Sequence, residues 1–296
     1  MTQPDPLAPG DHTVVIDGVR QSYHVAGSGP VCVVHPGGPG FSWDYLRIPA
    51  AEGQLTMVYV RPIGTAGSGR LPSHPHGYTR DRYSQFLDGL LDHLDLPRVH
   101  LLGHSHGGFV TQHYALHHPQ RLAGIILYES APAVGEEHFA EAMRNFDEFA
   151  RRNADNPQLA DVLAAWQSVP GITDDEAFTS VARRLFPAYF ADYWARQAEF
   201  APALASVGGA YISGLDADAA PVAIDDRSAL GSLRVPTLVV VGQQDFICGP
   251  RWGQELHDLI PGSKLVVLPE SGHFGHLEES ETFTRVVVDF VTSRPA

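Results

Sequence analysis

The chain has 296 residues, 44% hydrophobic and 18% charged, a balance that excludes a disordered polymer and suits one large domain or a core with an insertion. A net charge of −14 argues against a nucleic-acid partner, since nothing would neutralise phosphates, and no apolar run approaches the roughly 20 residues needed to span a bilayer. Met1 to Pro6 contain no basic segment leading into an apolar stretch, so the expectation is a cytoplasmic protein with no membrane partner. Cys32 and Cys248 lie far apart and read as two buried free thiols, with a disulfide left open.

The elements alternate along the first third. Thr13 to Ile16 and Gln21 to Val25, separated by Asp17-Gly18, predict an antiparallel hairpin. The apolar runs Val31 to Val34 and Met57 to Val60 predict strands covered on both faces. Tyr83, Phe86, Leu87, Leu90, Leu91 and Leu94 recur at helical spacing after Thr79, a candidate N-cap. Val99 to Leu102 reads as a buried strand, Gly108 to Leu116 as a helix, and Leu122 to Tyr128 as another buried strand. This order predicts an α/β fold with a mostly parallel sheet and right-handed crossovers.

The alternation stops after Pro132. Residues 134–232 show no strand-like run but many aromatics, Trp166, Tyr189 and Trp194 among them, and read as a helical cap. Thr237 to Val241 and Lys264 to Leu268 resume the strands, and a helix from about Glu279 to Thr292 closes the chain. The expected division is therefore a core of residues 1–133 and 233–296 with a cap of 134–232.

Gly103-His104-Ser105-His106-Gly107 lies at a strand-to-helix junction, the arrangement of a nucleophile elbow. The turn leaves no room for side chains beside the serine, and the head of the following helix offers N–H groups to an oxyanion. A serine hydroxyl needs a base, and the base needs a carboxylate to orient it. The partners are expected in the order Ser, Asp/Glu, His, each in a loop after a strand. Asp245 and His273 stand where that order requires. His276 competes with His273, but Gly272 gives the His273 loop room to approach the elbow. His104 and His106 flank the serine with side chains turned away, and His106 offers its N–H to the oxyanion.

A second oxyanion donor is expected from the loop His35-Pro36-Gly37-Gly38-Pro39-Gly40. His113 and His117 lie four apart on one helix, yet Tyr114 stands where the zinc signature needs glutamate, so no metal is expected. Gly64 to Gly69 is followed by no Lys-Ser/Thr and lacks dinucleotide spacing, which leaves it a loop. No cofactor is implied.

On these motifs the chain resembles the α/β-hydrolase superfamily over nearly its whole length. Gly37-Gly38-Pro39-Gly40 resembles the loop of the proline iminopeptidase-like branch, and the resemblance implies that Gly38 lends the second N–H. It also implies a helical cap roofing the site. The chain departs from that branch at Pro36, at Arg61-Pro62-Ile63-Gly64, and at the elbow itself, Gly-His-Ser-His-Gly-Gly. Peptidases of the branch bind a free amine with cap carboxylates, for which Glu136, Glu137, Glu141, Glu148, Asp192 and Glu199 are available. The expected function is a cofactor-independent serine hydrolase of a small, largely apolar ester or amide. The alternatives are a prolyl aminopeptidase, a lactonase or acyltransferase, and a non-catalytic receptor on the same fold.

Overall fold

The computed structural model describes residues 5–293, so Met1 to Pro4 of the segment read for a leader lie outside the described residues. β1 (Gly10–Ile16) and β2 (Val19–Gly27) pair antiparallel around Asp17 (φ 48°) and Gly18 (φ 75°), the left-handed pair that a two-residue hairpin requires. Then follow β3 (Val31–His35), α1 (Pro49–Glu52), β4 (Thr56–Arg61), α2 (Arg80–His93), β5 (Val99–His104), α3 (His106–His117) and β6 (Leu122–Tyr128). The Thr79 hydroxyl accepts from the Arg82 N–H at 3.2 Å and caps α2, as its position predicts.

Between β6 and Arg227 lie β7 (Ala133–Val134), α4 (Glu136–Arg152), α5 (Leu159–Ser168), α6 (Asp175–Leu185), α7 (Gln197–Ser206) and β8 (Ile224–Asp225). After α8 (Arg227–Leu230) come β9 (Thr237–Gly242), α9 (Pro250–Leu259), β10 (Lys264–Leu268), α10 (Gly275–Glu278) and α11 (Ser280–Thr292). Most of the stretch between β6 and α8 is helical, but the absence of a strand-like run in 134–232 gave no expectation of the ladder it contains. Ala133 pairs with Asp225 and Val134 with Ile224, tying its two ends together in a ladder too short to leave a sequence signal.

Eight strands form one sheet in the order β1-β2-β4-β3-β5-β6-β9-β10, parallel from β4 to β10. Successive residues of each central strand serve opposite cores. Val33, Leu101, Ile125 and Val239 pack with Leu90 and Leu91 of α2, whereas Val34, Leu102, Ile126 and Val240 pack with Phe283 and Val287 of α11. Helices on both faces explain why these strands read as continuous apolar runs. The chain runs from β3 outward to β4, then returns past β3 to β5. That reversal opens a crevice at the carboxyl ends of β3 and β5, where loops can converge on a ligand.

Phe283 is fully buried, 4.5 Å from the Tyr128 ring and 6.1 Å from that of His276. Phe283→Ala is expected to cost about 3–5 kcal/mol in denaturant unfolding, because it opens a cavity between α11 and the sheet.

Candidate active site

Ser105 occupies the junction of β5 and α3 with φ 53° and ψ −118°, a conformation that a residue with a side chain adopts only under constraint. The constraint is visible in the flanking glycines. A Cβ on Gly103 would lie 2.2 Å from the Gly107 carbonyl oxygen, and one on Gly107 would lie 2.3 Å from that of His35. The Ser105 N–H is fixed by a 2.8 Å bond to the Tyr128 carbonyl on the neighbouring strand.

The His273 Nδ1 lies 2.7 Å from Asp245 Oδ2, and both residues are buried. Burial alone would raise the Asp245 carboxyl. The adjoining His273, the Ile247 N–H at 2.9 Å and a hydrogen bond from Glu129 together hold it below the usual carboxylate range. With Nδ1 engaged by Asp245, Nε2 is the His273 nitrogen left for chemistry. Ser105 and His273 line one cavity, although no hydrogen bond joins them among the described residues. Such a bond often tightens only when substrate binds.

His276 is placed differently. Its Nδ1 accepts from the Tyr128 hydroxyl at 3.0 Å and its Nε2–H donates to the Tyr45 carbonyl at 2.9 Å, so both nitrogens are spent on packing.

His104 is a component that sequence reasoning missed. Its Nε2–H donates to the His273 carbonyl at 3.0 Å, and its Nδ1 accepts from the Tyr45 hydroxyl at 2.8 Å. That hydroxyl in turn accepts the Gly37 N–H at 2.7 Å. Burial, with His273 and His276 close by, holds the His104 ring well below the usual imidazole range and keeps it neutral, as this bonding requires. Nothing in the sequence announced the chain, since Tyr45 is 59 positions from its partner.

With the Gly37 N–H committed to Tyr45, the adjacent Gly38 (φ 124°) has an N–H with no acceptor among the described residues. His106 is the first residue of α3, where the helix supplies no carbonyl to its N–H.

The cavity measures about 100 Å³ and is walled by Phe41, Tyr45, Phe186, Tyr189, Ile247 and Phe274 around Ser105. Its lining contains no Asp, Glu, Lys or Arg. Of the three cap aromatics singled out, Tyr189 lines the cavity. Trp166 and Trp194 do not: Trp166 stacks on Phe146 at 4.9 Å and Trp194 on Phe149 at 5.7 Å, in a separate apolar cluster that also takes in Phe246. Aromatic composition marked that cluster and could not separate it from the cavity wall.

The cap carboxylates lie outside the lining as well. Glu137 and Glu141 bind Arg251, Glu148 binds Arg151, Glu199 binds Arg196, and Asp192 accepts the Ala195 N–H at 3.2 Å. The helix pair is likewise accounted for by packing, with His113 on Asp81 at 2.9 Å and His117 Nδ1 on the His113 carbonyl at 2.8 Å. The Gly64–Gly69 loop closes on itself through a 2.8 Å bond between its end residues. Cys32 and Cys248 are free and buried.

The loop carrying His273 is suspended from the insertion. The His273 N–H donates to the Tyr189 carbonyl at 2.6 Å. Glu278 accepts the Gly272 N–H at 2.7 Å through one oxygen and the Ala191 N–H at 2.8 Å through the other. Burial pushes the Glu278 carboxyl up to about 7 despite those two donors.

The chain belongs to the alpha/beta hydrolase fold family, whose description matches residues 30–280. It is 28% identical over 300 residues to the 2-hydroxymuconate semialdehyde hydrolase of Pseudomonas sp. (strain CF600), covering 96% of this chain and 94% of that protein. It is 25% identical over 300 residues to the proline iminopeptidase of Clostridioides difficile (strain 630), with 93% and 96% covered. The solved esterase from Exiguobacterium antarcticum superposes with a TM-score of 0.70 at 23% identity, over 96% of this chain and 99% of that one. With relatives that are hydrolases, this chain is an enzyme of the same family.

Two outcomes follow from the buried bonds. Tyr45→Phe leaves the Gly37 N–H and His104 Nδ1 without partners, and is expected to cost about 1–3 kcal/mol in urea unfolding. Glu278 binds its proton more tightly folded than unfolded, so the folded state holds the extra proton between about 4.5 and 7. Its contribution to stability is full below pH 4.5 and is lost as pH rises through 7. Urea titrations at several pH values should show that decline in the wild type and lack it in Glu278→Gln.

Proposed function

We propose that the protein is a cofactor-independent serine hydrolase that cleaves a small, neutral carboxylic ester through an acyl-serine intermediate. The observation that carries this reading is the His273–Asp245 pair set beside Ser105 on a cavity without charged side chains. In this mechanism His273 Nε2 takes the proton of the Ser105 hydroxyl as Oγ attacks the carbonyl carbon, and Asp245 stabilises the imidazolium that forms. The N–H groups of Gly38 and His106 hold the oxyanion, and the imidazolium returns its proton to the leaving group. Water, activated by the same imidazole, then releases the acid. We read residues 134–232 as the cap over this site and residues 1–133 and 233–296 as the core domain.

The uncharged lining separates this reading from two others. A muconate-derived substrate carries a carboxylate and an aminopeptidase substrate carries an ammonium, and either would be desolvated in this cavity without a counter-ion. An amide or a lactone shares the same chemistry and differs from the ester only in leaving group.

A fluorophosphonate probe should label the wild type and not Ser105→Ala. Hydrolysis of short-chain aryl esters should fall by at least about 10⁴-fold in that variant. Absence of labelling in the wild type favours a receptor and overturns the proposal. Turnover of prolyl anilides in preference to aryl esters would replace the esterase reading with the aminopeptidase one. Product analysis with added alcohols separates hydrolysis from acyl transfer.

A further inference from the structure

Glu129 follows directly on β6, is fully buried, and adopts φ 46°. Its N–H is bound to the Val240 carbonyl at 2.9 Å, and the Gly242 N–H lies 2.9 Å from both of its carboxyl oxygens. This cradle directs the carboxyl at the base assembly. Ligand-type atoms of Glu129, Asp245 and His273 all lie within 4.8 Å of one another, and the two carboxyls are hydrogen-bonded. The mechanism above gives Glu129 no role.

Two carboxyl groups in this position cannot both be ionised. The titratable groups that act on Glu129 are Asp245, His273, Glu278, Tyr128 and Cys248, with no lysine or arginine among them. A second anion would be buried without a counter-charge, so one of the two carboxyls keeps a proton. Asp245 is the one bonded to His273 and to the Ile247 N–H, both of which favour its ionised form. The proton therefore resides on Glu129.

We propose that Glu129 is a positioning residue for the hydrolytic reaction, a neutral carboxylic acid whose O–H donates to Asp245 and fixes the carboxylate that orients His273. Asp245 then receives three donors: the Glu129 O–H, the His273 Nδ1–H and the Ile247 N–H. When Ser105 gives its proton to His273 Nε2, the Glu129 proton stays where it is. The imidazolium is balanced by one negative charge and not two. The inference rests on the serine-hydrolase reading.

The test compares Glu129→Ala and Glu129→Gln with the wild type on an aryl ester across pH 5–9. Glu129→Ala should lower kcat on the order of tenfold with little change in KM, a scale taken from the loss of outer-shell partners that orient metal-bound histidines. Glutamine supplies an N–H donor in place of the O–H and should restore most of that loss. The acid limb of its kcat/KM profile should coincide with the wild type's. Were Glu129 an anion, glutamine would remove a negative charge beside the imidazolium, and the limb would move to lower pH by about a unit. That shift overturns the proposal, as does a glutamine variant no better than alanine, or full activity in Glu129→Ala. Inactivation of the wild type by EDTA also overturns it, since the three side chains would then be holding a cation. Should Glu129→Ala fail to fold by thermal melting, the glutamine profile alone decides. Fluorophosphonate labelling separates the two readings. An unlabelled wild type overturns both, whereas labelled Ser105 with no rescue by glutamine overturns only the role of Glu129.

Discussion

The hydrogen-bond chain through His104 is the constraint on which the site depends. It runs from the Gly37 N–H through the Tyr45 hydroxyl to one nitrogen of His104, and from the other nitrogen to the His273 carbonyl. Three segments far apart in sequence, the loop after β3, the elbow and the loop after β10, are held in one frame. Every proton in the chain has a single assignment, because His104 is neutral and each of its nitrogens has one partner. Beside the committed Gly37 N–H, Gly38 lines the cavity with its own N–H unbonded among the described residues. A polar network of this kind, satisfied throughout, rigidifies where a partly satisfied one would destabilise.

Charge is handled sparingly around this frame. The cavity wall is apolar, and carboxylates of residues 134–232 are held by arginines outside its lining, as Glu148 is by Arg151, Glu199 by Arg196, and Glu137 and Glu141 by Arg251 of α9. Beneath His273 the protein places two carboxyls where one would orient the imidazole. In the proposed arrangement the proton on Glu129 keeps the local charge matched to a single imidazolium. The site thus presents a neutral face to substrate while keeping a polarised assembly beneath it.

Much of this was legible in the sequence where local rules operate. The turn at Asp17-Gly18, the Thr79 cap, the apolar central strands and the elbow glycines all obey short-range sterics, and Asp245 and His273 follow from the strand order. The β7–β8 ladder escaped because two residues carry no periodicity. Trp166 and Trp194 were misplaced because apolar periodicity cannot tell a separate apolar cluster from the wall of a cavity. Glu129 and Tyr45 were invisible for another reason. Glu129 is cradled by Gly242 and Tyr45 bonded to His104 across 113 and 59 positions, and no motif encodes such distances.

The base-bearing loop hangs from the insertion by the His273 N–H on Tyr189 and by Glu278, which bridges Gly272 to Ala191. The roof and the base are therefore one mechanical part. A displacement of the segment around Tyr189 and Ala191 would pull on those bonds and shift the imidazole relative to Ser105. Under the proposed mechanism the position of the imidazole is set in part by residues 189–191. Under that mechanism, a substrate that displaced these residues would disturb the base as well as the wall, so its size would bear on turnover and not only on entry.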